Sequence, residues 1–247
     1  MKLSVIIPVY NESRTVRALL ERVAASPVEK EIIVVDDGST DGTKEILRGL
    51  FPNGTPGVTL LFQEANQGKG AAVRAGLKQV QGDLVLIQDA DLEYDPQNYP
   101  ELIKPFSDPG VQVVYGSRFL HTNMLQFLWE WFPLGERARR SEKRYLTTYL
   151  GIRVLNFLSF ALYGLRTTDE ATCYKVLRTP LMKSLDLETD GFEFCSEVTA
   201  KIGRRRLGVT EVPITYHPRT FQEGKKLKIG RDGFGALWTL LKYRWRK

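Results

Sequence analysis

Four short apolar runs, separated by segments with helical periodicity, constrain the fold of this chain more than any other feature. The runs are LSVIIPV (3–9), EIIVVDD (31–37), VTLLFQ (58–63) and DLVLIQ (83–88). An amphipathic helix is predicted after the first run from the spacing of Val16, Leu19, Leu20, Val23 and Ala24, and another from about residue 70 to residue 80. Near-continuously apolar strands that alternate with helices are typical of a parallel sheet covered on both faces, so an α/β fold is predicted.

Polar and acidic residues stand directly after three of these strands, in PVYNE (8–12), DDGS (36–39) and DADLE (89–93). Ligands of open α/β sheets bind beyond the carboxyl ends of the strands, so these segments are expected to share one site. The carboxylates of Asp89, Asp91, Glu93 and Asp95 are close in sequence and repel one another unless a metal ion, Lys and Arg, or solvent neutralises them. Mg²⁺ and Mn²⁺ prefer oxygen ligands and bridge carboxylates to diphosphates, which favours a metal site over a solvated acidic loop.

The second half of the chain is less regular. VQVVYGSR (111–118) predicts a strand, and a long helical stretch follows to about residue 165. A helix is predicted in GFEFCSEVTAKIGRRR (191–206), a closing strand in GVTEVPITYHPR (208–219), and a final amphipathic helix in GFGALWTLLKYRWRK (233–247). No internal repeat or linker interrupts the pattern, so one domain over residues 1–247 is expected.

Charge is unevenly distributed along the chain. Residues 201–247 carry a net charge of +10 and residues 1–200 a net charge of −4, and such a basic segment favours partners with phosphate groups, nucleic acid or a membrane surface. No recognised nucleic-acid-binding motif accompanies it, so no nucleic-acid partner is expected. Cys173 and Cys195 form no disulfide framework, and the N-terminus is interpreted as a buried strand rather than a signal peptide, which predicts a cytoplasmic protein.

Two segments allow more than one interpretation. Residues 145–165 are largely apolar but contain Arg153 and Asn156, which favours a helix packed on the protein's own core, with partial membrane insertion as the alternative. NQGKGAA (66–72) lacks the spacing of a nucleotide-binding P-loop, and we interpret it as a glycine-rich turn that opens a helix and places Lys69 near a phosphate.

Five motifs, in their order and spacing, give the chain a family resemblance. They are SVIIPVYNE (4–12), IIVVDDGSTDGT (32–43), NQGKGAAVRAG (66–76), IQDADLEYDP (87–96) and VVYGSR (113–118). The chain resembles family 2 glycosyltransferases of the GT-A fold, and more closely the dolichyl-phosphate mannose synthase and polyprenyl-phosphate glycosyltransferase branch. The resemblance implies a Rossmann-like, mostly parallel sheet with helices on both faces. Within it, residues 1–118 would form the nucleotide-sugar-binding half, 119–232 the acceptor-side half and 233–247 a basic amphipathic helix.

The resemblance also implies roles for individual residues. The base and ribose of the donor would be contacted by Pro8, Tyr10, Glu12, Val34 and Asp36, and its diphosphate by Gln88, Asp89, Ala90, Asp91, Arg118, Arg219 and Lys225. Mg²⁺ or Mn²⁺ would bind Asp91 and Asp89, with Glu93 as a third candidate ligand. Arg219 and Lys225 would reach the diphosphate from a mobile loop, RTFQEGKK (219–226). The catalytic candidates are Asp89, Asp91, Arg118 and Arg219.

The implied activity is transfer of a hexose, with inversion, from GDP-mannose or a UDP-sugar to a polyprenyl or dolichyl phosphate. A phosphate acceptor is already an anion and needs no general base, whereas a hydroxyl acceptor needs one. The chain is poor in histidine and carries arginine at positions 118, 137, 139 and 140, which favours the phosphate. Two alternatives stay open. One is transfer to a glycan or a soluble hydroxyl with Asp169 or Glu170 as the base, and the other is a non-catalytic nucleotide-sugar binder.

The last predicted helix combines aromatic and basic residues. Phe234, Leu237, Trp238, Leu241 and Trp245 recur at helical spacing, beside Lys242, Arg244, Arg246 and Lys247. Aromatic residues next to cations favour a bilayer interface. We therefore expect peripheral contact with the cytoplasmic face of a membrane through this helix, or through a membrane partner. The alternative is that the apolar face of the helix closes the protein's own core.

Overall fold

Parallel strands form one half of the central sheet and bring their carboxyl ends to one edge. The structure is a computed structural model that describes residues 1–52, 54–120, 139–219 and 229–246, without the side chains of residues 139–147 and 229. In this half, β1 (Leu3–Val9) pairs with β2 (Lys30–Asp36) on one side and with β4 (Leu84–Ile87) on the other, while β3 (Val58–Phe62) pairs with β2. All three pairings are parallel.

The other half of the sheet is mixed. It contains β5 (Val113–Ser117), β6 (Lys175–Arg178) and β7 (Thr210–Pro213), and the strand order is β3-β2-β1-β4-β6-β5-β7. The β6 strand runs antiparallel to β4 and β5, whereas β7 is parallel to β5. Parallel pairings therefore dominate the described sheet, and the predicted α/β class is confirmed. The sequence did not predict β6, which has only four residues.

The described helices lie between and after these strands. They are α1 (Val16–Ala25), α2 (Thr43–Leu50), α3 (Lys69–Leu77), α4 (Tyr99–Ile103), α5 (Arg139–Tyr163), α6 (Thr179–Ser184), α7 (Phe194–Arg204) and α8 (Ile229–Trp245). Two short 3₁₀ turns, Pro96–Asn98 and Lys104–Ser107, flank α4. None of the helices in the described ranges is both long enough and apolar enough to cross a membrane.

The central strands are buried on both faces. Successive side chains of a strand point to opposite faces of the sheet, yet Val5, Ile6, Ile33 and Val34 are all at most 1% exposed. The α3 helix packs on β1 and β2, where a Cβ atom added at Gly76 would lie 2.7 Å from Ile6 Cγ2. This two-sided burial is the reason that the strands are apolar at nearly every position and are recognisable in the sequence.

The glycine-rich turn before α3 packs directly against another stretch of backbone. The amides of Gly70 and Ala71 both donate to the Asp190 carbonyl oxygen, at 2.6 and 3.2 Å. A Cβ atom on Gly70 would lie 2.2 Å from the Thr189 carbonyl oxygen, so only glycine fits there. The first amides of α3 are therefore capped by the 189–190 segment. They are not the phosphate cradle that the glycine pattern could have indicated.

Glu197 on α7 holds the same segment in place. Its buried carboxylate accepts the amides of Glu188 and Thr189, at 2.8 and 2.9 Å, and the Tyr243 hydroxyl of α8, at 2.8 Å. Lys201 Nζ lies 2.7 Å from the same carboxylate. Burial raises the pKa of Glu197, but its hydrogen bonds outweigh burial and leave that pKa below its ordinary value. Glu197 therefore joins α7, α8 and the segment that caps α3.

We expect Gly70→Ala to lower the free energy of unfolding by about 1–3 kcal/mol, because the added methyl group overpacks against fixed backbone. Gly49→Ala is the matched control, since it lies within α2 and has nothing within 4 Å of an added Cβ. That change should raise stability by about 0.5–1 kcal/mol through helix propensity. Urea unfolding measures both values, and equal effects at the two glycines would contradict the close approach at Gly70.

Candidate functional site

The three polar segments predicted to share a site do meet at one edge of the sheet. Val9 is paired with Asp36, and Ile6 with Ile87, so β1, β2 and β4 end side by side. The segments that follow each strand therefore converge, which confirms the expectation drawn from parallel topology. Pro8 and Tyr10 lie partly buried at this edge.

Hydrogen bonds fasten the loop after β1 to the loop after β2. The Asn11 amide donates to Ser39 Oγ at 2.9 Å, and Asn11 Oδ1 accepts the Thr40 amide at 2.8 Å. The Glu12 amide donates to Thr43 Oγ1 at 3.0 Å. Asn11 has a left-handed backbone (φ 50°), which turns the chain sharply after β1. The two loops therefore form one rigid rim that carries the Glu12 carboxylate.

The two aspartates at the end of β2 have different surroundings. Asp36 is fully buried and accepts the Ser39 amide through Oδ2 at 3.1 Å, while no donor in the described residues lies within hydrogen-bonding distance of its Oδ1. Asp37 is satisfied through both oxygens, which accept the amides of Gln67 and Gly68 at 2.8 Å each. Burial raises the pKa of Asp37. Asp37 therefore holds the glycine-rich turn, whereas Asp36 keeps a buried acceptor without a partner.

Lys69, which follows that turn, forms an ion pair with the first aspartate after β4. Lys69 Nζ contacts Asp89 Oδ1 and lies 3.5 Å from Cys173 Sγ. The rings of Phe192 and Phe194 stand 5.5 Å from the ammonium group. Burial lowers the pKa of Lys69, but the Asp89 charge outweighs burial and raises that pKa well above its ordinary value, so Lys69 is protonated at neutral pH. Lys69 therefore contacts an acid at the carboxyl edge of the sheet, and its expected position near a phosphate stays a prediction.

Arg219 joins carboxylates from two different strand ends. Its Nη1 and Nη2 each lie 3.3 Å from an oxygen of Glu12, and Nη2 lies 3.1 Å from Asp91 Oδ2. The Arg219 amide donates to Glu93 Oε1 at 2.9 Å. Burial lowers the pKa of Arg219, and the surrounding carboxylates raise it to a net value above the ordinary one. The structure thus places Arg219 among three of the acids that the sequence singled out.

Asp91 and Glu93 differ in how far their charges are offset. Burial and the charges of Asp89 and Glu93 raise the pKa of Asp91 to about 7, despite the opposing effect of Arg219. Glu93 accepts the Tyr216 hydroxyl on Oε2 and the Arg219 amide on Oε1, so both of its oxygens are occupied. Leu92 between them has φ 63°, a left-handed conformation that a branched side chain rarely adopts. Glu93 therefore anchors the 216–219 segment. Asp91 is the acid whose charged form an added cation would stabilise most.

Arg118 forms an ion pair with a buried aspartate, Asp169. Its Nε and Nη2 lie 2.7 Å from the two oxygens of Asp169, which is fully buried. The guanidinium carbon stands 4.9 Å from the ring centre of Tyr216 and 5.9 Å from that of Tyr94. Burial lowers the pKa of Arg118, but Asp169 outweighs burial and raises it well above the ordinary value. Because Tyr216 also donates to Glu93, Arg118 is positioned beside the acid cluster.

Three predicted donor contacts lie in the interior. The Gln88 side chain accepts the hydroxyls of Tyr99 and Tyr174 at 2.7 and 2.6 Å, and donates to the Asp89 carbonyl oxygen at 3.0 Å. Val34 is 0% exposed and Ala90 is 4% exposed. Gln88 is likewise 0% exposed, so neither it nor Val34 offers surface to a ligand, and their predicted roles stay predictions.

Some predicted residues lie outside the described part of the chain, and some contacts were not predicted. Lys225, the rest of the predicted loop after Arg219, and Arg137 lie outside the described residues, as do the side chains of Arg139 and Arg140. No pattern in the sequence indicates Tyr216 as the partner of Glu93, because Tyr216 follows β7 in an irregular segment far along the chain. The sequence suggests Asp169 only as a general base, whereas the structure shows it as the partner of Arg118.

In the described residues, no three acid, histidine or cysteine side chains form a preorganised metal site. Asp89 and Asp91 supply hard oxygen donors of the type that Mg²⁺ and Mn²⁺ prefer. Burial, together with the charges of Asp89 and Glu93, raises the pKa of Asp91, so an added cation would stabilise its charged form. Asp89 and Asp91 would therefore suit a divalent ion, which would take its remaining ligands from outside the described residues.

Comparison with known proteins identifies the family of the chain. Residues 4–164 match the family model described as Glycosyl transferase family 2. The chain is 41% identical over 117 residues to the undecaprenyl-phosphate 4-deoxy-4-formamido-L-arabinose transferase of Serratia proteamaculans, an alignment that covers 46% of this chain and 36% of that protein. It is 30% identical over 220 residues to the low-salt glycan biosynthesis hexosyltransferase of Haloferax volcanii, covering 88% of this chain and 48% of that protein. The chain thus spans less than half the length of these two relatives.

The fold also matches a solved enzyme. Glucosyl-3-phosphoglycerate synthase from Mycobacterium tuberculosis, in a complex with Mn²⁺, UDP and glucosyl-3-phosphoglycerate, superposes with a TM-score of 0.67 at 21% identity. The match covers 98% of this chain and 79% of that one. A likeness at this identity shows the fold, which is of the GT-A type, and the family match covers most of the chain. The family match over residues 4–164, together with the strand-end acids and the GT-A sheet, shows that the protein belongs to glycosyltransferase family 2.

Proposed function

We propose that this glycosyltransferase moves a hexose from GDP-mannose or a UDP-sugar to a polyprenyl phosphate, with Mg²⁺ or Mn²⁺ as cofactor. One observation carries the choice of acceptor: neither acid considered as a general base is placed to act as one. Asp169 is fully buried in a two-point ion pair with Arg118, and Glu170 is fully buried in the core. A hydroxyl acceptor would need such a base, whereas a phosphate acceptor needs only cations.

The relatives support the same acceptor class. The Serratia protein is named as an undecaprenyl-phosphate transferase. The Haloferax protein is named a hexosyltransferase, which supports a hexose as the transferred group. The mycobacterial structures contain UDP with Mn²⁺ or with Mg²⁺, which supports a nucleoside diphosphate donor and a divalent ion.

The rim of the sheet edge suits the nucleoside part of the donor. Asp36 Oδ1 is a buried acceptor with no described partner, and a buried acceptor without a partner is costly. A ribose hydroxyl or an N–H of the base would satisfy it. Pro8 and Tyr10 lie at the same edge and are proposed to line this pocket, with Glu12 on the ribose side.

Asp89 and Asp91 would hold the divalent ion beside the diphosphate, while Glu93 keeps its structural contacts. When bound, the ion would supply Lewis-acid stabilisation of the charge that develops on the leaving diphosphate. Arg219 lies between Glu12 and Asp91, and it is proposed to add a second positive charge to the same phosphates. Lys225 is proposed to assist from the segment after Arg219.

Arg118 is proposed to position the acceptor. An oxygen of the acceptor phosphate forms the bond to the anomeric carbon as the bond from that carbon to the nucleoside diphosphate oxygen breaks. No proton has to be removed from the nucleophile, so the protein must only hold two anions close together. Asp169 fixes the Arg118 guanidinium for this purpose, and rigid placement of this kind lowers the barrier to reaction.

The acceptor assignment is tested by transfer of labelled hexose to polyprenyl phosphate and to the matching polyprenol, which differs only in the phosphate. We expect product with the phosphate and at least roughly 100-fold less with the alcohol, because the alcohol lacks both the negative charge and a base to activate it. Equal rates with the two lipids, or transfer to a free saccharide alone, would contradict the proposal.

Asp91→Asn should lower transfer at least roughly 100-fold, since a neutral amide is a poorer ligand for a hard cation. Thermal unfolding without metal should show an intact fold, because the change removes a carboxylate that its neighbours repel. Asp95→Asn is the matched control four residues later, where the side chain caps a 3₁₀ turn and asparagine caps equally well. Activity of Asp91→Asn that persists in EDTA would contradict the metal assignment.

Arg219→Ala should change metal binding and catalysis in opposite directions. The arginine competes with a metal ion for Asp91, so its removal should tighten Mn²⁺ binding by roughly tenfold. The rate of transfer should fall at the same time, because the positive charge of Arg219 no longer stabilises the leaving diphosphate. Calorimetric titration with Mn²⁺ alone measures the first effect. Arg14→Ala, an exposed arginine near the same rim, is the control. Weaker Mn²⁺ binding in Arg219→Ala would contradict the competition.

A further inference from the structure

The outward side of α5 is apolar. Leu150, Val154, Phe157 and Phe160 are between 48% and 66% exposed, and their spacing places them on one side of the helix. The opposite side, with Ile152, Leu155 and Ser159, is buried on the protein. The helix therefore packs on the protein's own core, which is the arrangement predicted for residues 145–165. It also has an exposed apolar stripe that no described residue covers.

The outward side of α8 has the same character. Phe234, Trp238 and Trp245 are 58–71% exposed, whereas Leu240 and Tyr243 are buried. The inner sides of α5 and α8 share one small core, in which Leu155 packs with Leu240 and Tyr243. The two exposed stripes consequently lie on neighbouring helices, and we call them together the outer apolar face. Exposed apolar side chains grouped on one side of a helix are a feature of interaction sites.

Arginines border the face on α5. A groove of about 360 Å³ runs beside the stripe and is lined by Arg153, Phe157, Phe160, Arg166 and Thr168, among others. The Arg166 guanidinium carbon stands 5.6 Å from the Phe160 ring centre, and that of Arg153 stands 5.9 Å from the Tyr149 ring centre. The one acid in the lining, Glu211, is turned to Thr167 and Thr168 by hydrogen bonds of 2.7 and 2.8 Å.

We propose that the outer apolar face docks on an anionic lipid surface, with Arg153 and Arg166 on the headgroup phosphates and the aromatic side chains among the acyl chains. Lys242 and Arg244 add exposed cations on α8. The positive charge of this face favours an anionic lipid surface over a second copy of the chain. A two-fold symmetric interface would bring the same cations of the two copies close together, where they repel each other. Aromatic residues flanked by arginine and lysine are the composition that binds at a bilayer interface.

The face also lies next to the acceptor side of the site. Thr168 lines the groove, and its hydroxyl lies 2.6 Å from that of Ser117, the neighbour of Arg118. Asp169, the partner of Arg118, follows Thr168 directly in the chain. A phosphate held at the bilayer surface would therefore reach Arg118 over a short path. This last step rests on the proposed function, whereas docking itself is a property of the face.

The test is sedimentation of the full chain with phosphatidylglycerol vesicles at low salt, without donor, metal or acceptor. Arg153→Glu, Arg166→Glu and Phe157→Ser are compared with Arg48→Glu and Phe62→Ser. The control pair is also an arginine over an exposed phenylalanine ring, at 5.1 Å, but it lies at the β3 edge of the sheet. We expect wild-type protein and both controls to pellet and to be released by salt, and each test variant to bind at least roughly fivefold more weakly.

Three results would overturn the inference. They are no binding of the wild-type protein to phosphatidylglycerol, equal binding to phosphatidylcholine at all salt concentrations, or the same loss in the controls as in the test variants. A dimer in sedimentation velocity that Phe157→Ser converts to monomer would assign the face to a second copy. The sedimentation experiment contains no substrate, so its result does not depend on whether the protein transfers a sugar. Binding without transfer to polyprenyl phosphate would refute the proposed function and leave docking intact.

Discussion

Repulsion among carboxylates at the carboxyl edge of the sheet is the constraint around which the site is arranged. Glu12, Asp89, Asp91 and Glu93 come from two strand ends that parallel pairing forces together. Lys69 offsets one of these acids and Arg219 contacts the other three. Even so, burial and the charges of Asp89 and Glu93 keep the pKa of Asp91 raised to about 7. An added cation would stabilise the ionised Asp91 carboxylate, which is a physical basis for binding a divalent ion together with a phosphorylated ligand.

The remaining contacts of the site serve placement more than charge. Asp37 fixes the turn that carries Lys69, and Asp169 fixes Arg118. In each case the buried acid accepts hydrogen bonds from the group whose position it fixes. These hydrogen bonds avoid the free-energy cost of an unpaired buried charge. Such support allows a few cations to be held at defined positions beside the sheet edge, as transfer between two anions requires.

The sequence predicted the half of the fold in which periodicity is strong. Strands β1, β2 and β4 were recognisable because burial on both faces makes nearly every position apolar, and the convergence of their acids followed from parallel topology. The β6 strand was missed because it has four residues and includes Lys175, whose burial over the Tyr115 ring no periodicity reveals. The Arg118–Asp169 pair could not be predicted either, since it joins residues 51 positions apart through tertiary packing alone.

The cap on α3 has a consequence for how the molecule opens. From Asp89 the contacts run to Lys69, then from the amide of Gly70 to the 189–190 segment, from Thr189 to Glu197, and from Glu197 to Tyr243 on α8. Each link is a buried or partly buried polar contact. Because the links follow one another, fraying of the C-terminal helix would remove one support of the segment that caps α3, the helix that begins at Lys69. Anything that holds α8 in place from outside, a bilayer included, would therefore also help to keep that cap closed.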